Sequence, residues 1–368
     1  MILGSGLLTA SGWPKASDWL IRDEFTDTRA AGSVNGTAAT PGPGIRVVTG
    51  TESKLSVGSG NISISPNSGI AVAIGYSPIS YAAGLAFLVR QKIIAESVQV
   101  GWATSAGATE SLLSALQTTS TQWRVRSNDG DVSLLGAYTP GTYYNVAIVA
   151  IGSRMMWFVL DGEWKFLWVN SASFFTSAPN VANAANASSN ALIDYLRVIQ
   201  LPAPFDTDAG LATDTHSGAV SAGTTFTHES DVWMEFIATT VPSGDSIDVQ
   251  FRKADSLNYW ICRINSSGDI SLEEVVDGSE TQRGLAAGVV SNGHRVVIIA
   301  DDESIRVLSN NTSRISYGSA ASAKTATAGE VDALGTGGAV SNVYTWPRTL
   351  GATAETTQAA SILNKVSA

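Results

Sequence analysis

The chain has 368 residues, of which 44% are hydrophobic and 15% are charged, with a formal net charge of −10 at pH 7. This composition is too apolar and too aromatic for an intrinsically disordered protein. The acidic balance excludes a protein that coats nucleic acid, because phosphate binding needs a surplus of Lys and Arg. At about 150 residues per domain, the length predicts two or three domains.

The start of the chain is predicted to be an N-terminal arm over residues 1–19, which packs on something through Trp13 and Trp19. Its first basic residue is Lys15, so it lacks the positive leader of a secretory signal peptide. We therefore expect the protein to be made and folded in a cytoplasm. Cys262 is the only cysteine, which excludes an intrachain disulfide.

Residues 70–89 are apolar and about as long as a membrane-spanning helix. However, Pro78 splits this stretch, and Ala and Gly dilute it. We predict two buried strands around a turn here, and no membrane partner.

Two parts of the chain repeat the same order of strand and turn signals. Each has a hairpin around a Gly turn, then two further strands, then a strand that stops at a proline. The predicted equivalents are 123–126 with 260–264, 131–135 with 269–273, 143–151 with 294–300, 155–160 with 304–308, and 194–201 with 342–346. A spacing of about 140 residues suits a repeated domain rather than a solenoid.

We therefore predict one domain over residues 20–202 and a second over 203–348, with a stiff junction at Pro202 and Pro204. Regular alternating strands with Gly, Asn and Asp turns are typical of antiparallel sandwiches.

The tail, residues 349–368, carries Ile362, Leu363 and Val366 at helical spacing. This spacing predicts a short C-terminal helix.

Certain motifs resemble a known family. Residues 251–255 lead into Asn258, Tyr259 and Trp260 before the turn at Gly268. In this order the second half resembles the concanavalin A-like or laminin-G-like jelly-roll family. Residues 23–27 resemble the acidic-Phe opening of such modules, including those of phage structural proteins. The resemblance implies an all-β fold of two tandem antiparallel jelly-roll β-sandwiches.

The same family includes glucanases, whose catalytic strand carries spaced carboxylates. Glu229, Asp231 and Glu235 come close to that pattern with a different spacing. On a regular strand these acids share one face with Trp233. We predict a solvated strand face here, with no catalytic residues.

Metal-binding patterns are weak in this sequence. Asp206, Asp208 and Asp214 cluster at the start of the second domain, and oxygen-rich loops bind calcium in similar sandwiches. Their spacing is not that of an EF-hand, so we predict no cofactor and no metal, with calcium as the alternative. His228 stands beside Glu229 but lacks metal-ligand spacing, and it is predicted to be a surface or turn residue.

Aromatic side chains provide the signal for carbohydrate binding, because a sugar stacks on an exposed ring. Trp164, Phe166 and Trp168 are predicted to share one strand face. The glycan-binding candidates are Trp164, Trp168, Trp233, Tyr259 and Trp260. The alternative is that these rings fill the two sandwich cores.

The resemblance favours a non-enzymatic bacteriophage virion structural protein, as a capsid decoration, tail or fibre component made in the host cytoplasm. Its expected partners are other virion proteins, copies of itself and a surface glycan. Trp13, Trp19, Ile362 and Leu363 are the expected assembly contacts, buried against neighbouring subunits. The alternatives are a carbohydrate-binding host-adhesion protein and a glycoside hydrolase of the glucanase-like sandwich fold.

Overall fold

The computed structural model describes residues 13–58, 60–64, 72–76, 79, 83–94, 98–103, 112–118, 122–127, 130–132, 137–152, 154–171, 180–185, 191–207, 210–351 and 353–368. Its helices are two 3₁₀ turns, Ala16–Asp18 and Glu52–Lys54, and α1 (Ala354–Ser367). The strands are β1 (Trp19–Asp23), β2 (Val47–Gly50), β3 (Leu55–Gly58), β4 (Asn61–Ile64), β5 (Val72–Gly75), β6 (Leu85–Ile93), β7 (Val98–Ala103), β8 (Leu112–Thr118), β9 (Trp123–Ser127), β10 (Gly130–Val132), β11 (Tyr143–Ile151), β12 (Arg154–Asp161), β13 (Glu163–Ser171), β14 (Asn180–Ala185), β15 (Ala191–Gln200), β16 (Asp214–Val220), β17 (Thr224–Thr227), β18 (Val232–Thr240), β19 (Ser246–Lys253), β20 (Tyr259–Asn265), β21 (Ile270–Val276), β22 (Ser279–Ala286), β23 (His294–Asp301), β24 (Ser304–Ser309), β25 (Thr312–Tyr317), β26 (Ala328–Ala333) and β27 (Ala339–Pro347). The named strands pair antiparallel, so the predicted all-β fold class with a C-terminal helix is confirmed.

The chain divides into two compact units. Unit 1 comprises residues 1–207 and 360–368, and unit 2 comprises residues 208–359. The domain bounds 20–202 and 203–348 stay predictions.

Unit 1 is a sandwich of two sheets. One sheet has the strand order β13-β12-β11-β6-β15-β4-β3, with β1 also beside β15, and the other has the order β10-β9-β8-β7-β14-β5-β2. Buried rings join the two sheets: Phe87 lies 6.0 Å from Trp102, and Trp123 lies 5.3 Å from Tyr144, between ring centroids. The apolar stretch 70–89 contributes to β5 and β6, as predicted, and no helix among the described residues is long and apolar enough to cross a membrane.

Unit 2 is also a two-sheet sandwich. Its sheets have the orders β16-β27-β18-β23-β24-β25 and β17-β26-β19-β20-β21-β22. Alternate residues of the facing strands form one core, in which Met234 and Phe236 of β18 pack with Val249, Phe251 and Trp260 of the other sheet. The period of two along each strand directs these apolar side chains to one face.

The strand orders show how the two halves correspond. β5 to β15 occupy the same sheet positions in unit 1 that β17 to β27 occupy in unit 2. The predicted equivalents 143–151 with 294–300 and 194–201 with 342–346 fit this order. The predicted matches of 123–126 with 260–264 and of 131–135 with 269–273 are wrong by one strand, because β20 corresponds to β8 and β21 to β9. Successive hairpins of one meander have similar sequence patterns, so the local pattern did not show which hairpin of unit 1 corresponds to which hairpin of unit 2.

The acidic-Phe opening at residues 23–27 surrounds a buried arginine. The fully buried Arg46 donates through Nε to Asp23 at 2.6 Å and through Nη1 to Asp27 at 2.9 Å. The Tyr76 hydroxyl donates to Asp23 at 2.7 Å. A buried charge is stable only when it has partners, so this motif has a structural role in unit 1.

The C-terminal half of α1 packs within unit 1. Ile362 and Leu363 are fully buried. Arg197 Nη1 of β15 donates to the Val366 carbonyl at 2.8 Å, which satisfies one of the helix's terminal carbonyls. The prediction that Ile362 and Leu363 contact neighbouring subunits is corrected, because the chain itself covers both side chains.

The arm also contacts its own chain. Trp19 is buried, and the Arg22 and Arg197 guanidinium groups lie over its ring. Trp13 is half-buried, with Lys365 Nζ 5.5 Å from its ring centroid. Trp19 is therefore corrected to a core residue, whereas a contact of Trp13 with a neighbouring subunit stays a prediction. Residues 1–12 lie outside the described residues.

Candidate functional site

Four of the five predicted sugar-stacking rings are buried. Trp164, Trp168, Trp233 and Trp260 have at most 1% of their surface exposed. A ring without an exposed face has no surface to stack on a sugar, so we assign these four tryptophans to the cores. Tyr259 is half-buried and stays a candidate.

A β-bulge changes the faces of β13. Trp168 lies opposite Trp157, but Phe166 lies opposite Phe158, with a register shift between the two pairs. The extra residue reverses the alternation. Trp164 and Phe166 therefore share a face, and Trp168 lies on the other, which corrects the predicted single face. The Trp164 indole donates to Asn364 Oδ1 at 2.9 Å.

The predicted row of carboxylates does not form. β18 begins at Val232, so Glu229 and Asp231 precede the strand. Glu235 is buried and ion-paired with Arg295, and Asp231 accepts a hydrogen bond from the Asp302 amide at 2.8 Å. The prediction of one shared face is wrong because the regular strand on which it depended starts after residue 231.

A groove lies at the β17 edge of unit 2, which we call the edge groove. It has a volume of about 510 Å³. It is lined by Asp214, Thr225, Phe226, Thr227, Lys253, Ala254, Asp255, Ser256, Ala328, Gly329 and Glu330. Hydroxyls, carboxylates and one ammonium thus converge on a single depression.

An ion pair of the edge-groove lining lies close to an aromatic ring. Lys253 Nζ lies 2.5 Å from Glu330 Oε2, and both side chains are between a fifth and a quarter exposed. The same Nζ lies 5.8 Å from the ring centroid of Tyr259. Lys253 therefore joins the polar lining to the half-buried ring.

Two carboxylates of the lining are occupied by the chain itself. Asp214 accepts from the amides of Thr215 at 2.8 Å and Thr227 at 2.9 Å, which ties β16 to β17. Asp255 accepts from the Leu257 amide at 2.7 Å, and this bond lowers its pKa.

The three aspartates that could bind calcium are divided between the two units and the undescribed residues. Asp206 is exposed in unit 1, Asp214 is bound to backbone amides in unit 2, and Asp208 lies outside the described residues. Among the residues that the structure describes, no group of three His, Cys, Asp or Glu side chains could hold a metal ion. The described residues therefore do not fit the calcium alternative.

His228 contacts the backbone of Ala328, a residue of the edge-groove lining. The histidine is 2% exposed, which corrects the predicted surface position. Its Nδ1 donates to the Glu229 carbonyl at 2.7 Å, and its Nε2 accepts from the Arg252 amide at 3.1 Å. Burial is the main cause that lowers the pKa of His228, and the Arg252 charge adds to it.

Arg252 fixes the end of β19. It is fully buried with a φ of 47°, and its guanidinium donates to the carbonyls of Ser230 at 3.0 Å and Asp302 at 2.8 Å. This left-handed residue separates the core residue Phe251 from Lys253, which lines the groove.

Sequence reasoning found Asp214 and Tyr259 but missed Lys253 and Glu330. These two residues are 77 positions apart, and only the pairing of β19 with β26 brings them together. The one local signal was Lys253 itself, which stands in the Arg-Lys run before Tyr259.

Neither a family model nor a curated protein matches this chain. Among solved structures, the calcium-bound exoplasmic/lumenal domain of VIP36 is 13% identical over 53% of this chain and 95% of its own, with a TM-score of 0.37. Galectin LEC-6 of Caenorhabditis elegans is 7% identical over 34% and 92%, with a TM-score of 0.30. Rv0315, an immunostimulatory antigen and pseudo β-1,3-glucanase of Mycobacterium tuberculosis, is 12% identical over 50% of this chain and 100% of its own, with a TM-score of 0.35. Similarities at these TM-scores assign no function to the chain.

Proposed function

We propose that unit 2 binds a neutral glycan in the edge groove without hydrolysing it. The observation that carries the proposal is the Lys253–Glu330 ion pair beside the half-buried Tyr259 ring. Sugar hydroxyls both donate and accept hydrogen bonds, so a paired ammonium and carboxylate serve both roles. The ring supplies an apolar surface next to them.

The charge of the groove argues for neutral rather than acidic sugars. Asp214, Asp255 and Glu330 are set against the single cation Lys253. An acidic glycan would meet like charge in the groove, which disfavours binding.

The absence of catalysis in this proposal is supported by the partners of the groove's own acids. Asp214 and Asp255 accept from the backbone amides of Thr227 and Leu257, and Glu330 is paired with Lys253. A glycosidase needs one carboxyl group to protonate the leaving oxygen and another to attack or activate water.

A glycan array with neutral and acidic members tests the proposal. We expect neutral glycans to bind, and Lys253→Met to weaken binding by about tenfold or more through loss of charge-assisted hydrogen bonds. Lys165→Met in unit 1 removes another ion-paired lysine and should change nothing. An array without signal, or equal binding by the Lys253→Met variant, overturns the proposal, and released reducing ends would favour the hydrolase alternative.

A virion role is a second proposal, supported by the resemblance of residues 23–27 to phage structural modules. A chain in a decoration, tail or fibre position would present the edge groove to a host surface. Mass spectrometry of purified particles, with immunogold labelling, tests it. Absence of the chain from particles that are otherwise complete would contradict this role and leave a free glycan-binding protein.

A further inference from the structure

The Nε2 atom of His228 faces two backbone groups of opposite kind. The Arg252 amide of β19, a donor, lies 3.1 Å away, and the Ala328 carbonyl of β26, an acceptor, also lies 3.1 Å away. A neutral imidazole with its proton on Nδ1 satisfies only the first of these, because Nε2 then offers a lone pair. Protonation places an N–H on the same atom and satisfies only the second.

The two groups belong to the strands that form the edge groove. Ala328 lies opposite Lys253 in the β19–β26 pairing, and the register of that pairing shifts between Gln250 and Lys253. His228 therefore contacts the residue that pairs with Lys253 of the groove's ion pair. If Nε2 of His228 changes its hydrogen-bond partner, the histidine is bonded to β26 instead of β19.

We propose that His228 is an acid-sensitive latch of the edge groove, whose protonation transfers Nε2 from the Arg252 amide to the Ala328 carbonyl and weakens glycan binding. The glycan part of this inference rests on the proposed function. When the Arg252 amide loses this hydrogen bond, the end of β19 is held less firmly. Lys253 is the next residue, so its side chain is positioned less precisely in the groove.

The charges around His228 set the direction of the effect. The Arg252 guanidinium approaches from β19, and its own charged neighbours are Asp231, Asp301 and Asp302. Glu229 is on the histidine's own segment and, on the groove side, Lys253 of β19 is paired with Glu330 of β26. The nearby cation and the burial both oppose protonation, so the latch stays closed at neutral pH and opens on acidification.

The latch is tested by glycan affinity as a function of pH. The probe is the neutral hexasaccharide of N-acetylglucosamine, which carries no group that titrates between about pH 5 and pH 7. We expect the wild-type affinity to fall by about tenfold over this range. His228→Gln, which keeps an acceptor and a donor but does not titrate, should bind with an affinity that is independent of pH. His294→Gln, another histidine of unit 2, should keep the wild-type dependence.

A second measurement on the wild-type chain separates the two proposals. The exchange protection of the Arg252 amide should fall on acidification more steeply than that of the core amides of β23, whether or not a sugar is bound. If no neutral glycan of the array binds at pH 7 but this protection falls, the proposed function fails while the change of hydrogen-bond partner at His228 stands. If the protection is unchanged in acid, or if His228→Gln keeps the wild-type pH dependence, the latch is overturned.

Discussion

A missing Cβ atom shapes the floor of the edge groove. A Cβ at Gly329 would lie 2.2 Å from Cε2 of Phe226 and 2.8 Å from the Gln250 carbonyl. Phe226 is 2% exposed in the core of unit 2. The space between β17 and β19 therefore admits only glycine at this position of β26 without movement of the ring or of the backbone.

Gly329→Ala should lower the free energy of unfolding by about 1–3 kcal/mol, because an added methyl group in a packed site forces neighbours to shift. Urea unfolding measures it. Gly318→Ala is the matched control, since nothing lies within 4 Å of a Cβ there. Equal stability of the two variants would show that Phe226 moves aside without cost.

The residues that carry the family resemblance proved informative about structure rather than about binding. Asp23 and Asp27 were visible in the sequence as an acidic opening, but their partner Arg46 was not, because it lies 23 positions after Asp23. In the same way, aromatic type marked Trp233 and Trp260 as important without saying that both are buried. Side-chain chemistry is local, whereas burial depends on what other strands cover.

Elements with a regular period were predicted well from the sequence. β11 occupies the predicted residues 143–151, and α1 begins at Ala354 after Thr353, whose hydroxyl accepts from the Thr356 amide at 3.2 Å as a helix cap. The bulge in β13 and the one-strand offset of the hairpins were missed. The bulge and the offset both depend on which strand pairs with which, and the local alternation of apolar and polar residues does not contain that information.

The packing of α1 gives a prediction at the scale of the element. Leu363→Ala should lower the free energy of unfolding of unit 1 by about 2–5 kcal/mol, because it leaves a cavity at a fully buried leucine. Ser361→Ala changes an exposed neighbour on the same helix and should have little effect. Hydrogen exchange in β15, whose Arg197 binds the end of the helix, gives the measurement. Unchanged protection in the Leu363→Ala variant would mean that α1 contributes little to unit 1.

At the scale of the whole molecule, we expect the two units to lose stability over different ranges of acid pH. His216, His228 and His294 all lie in unit 2, so unit 1 has no histidine. Asp27 of unit 1 has a pKa well below its ordinary value, chiefly because it accepts from Arg46. His228 of unit 2 also has a lowered pKa, but its ordinary value lies near 6.5.

Acidification lowers the contribution of both Asp27 and His228 to folding stability, but it does so over different pH ranges. Each group binds its proton more tightly in the unfolded chain than in the folded one, so each stabilises the fold above its unfolded pKa and loses that contribution as the pH falls. The loss begins below about pH 6.5 for His228 and below about pH 4 for Asp27. Core amides of β23 in unit 2 should therefore lose exchange protection between about pH 6.5 and pH 5, while those of β11 in unit 1 keep theirs. His228→Gln should remove this difference in slope, and a parallel loss in both units of the wild-type chain would refute the assignment to His228.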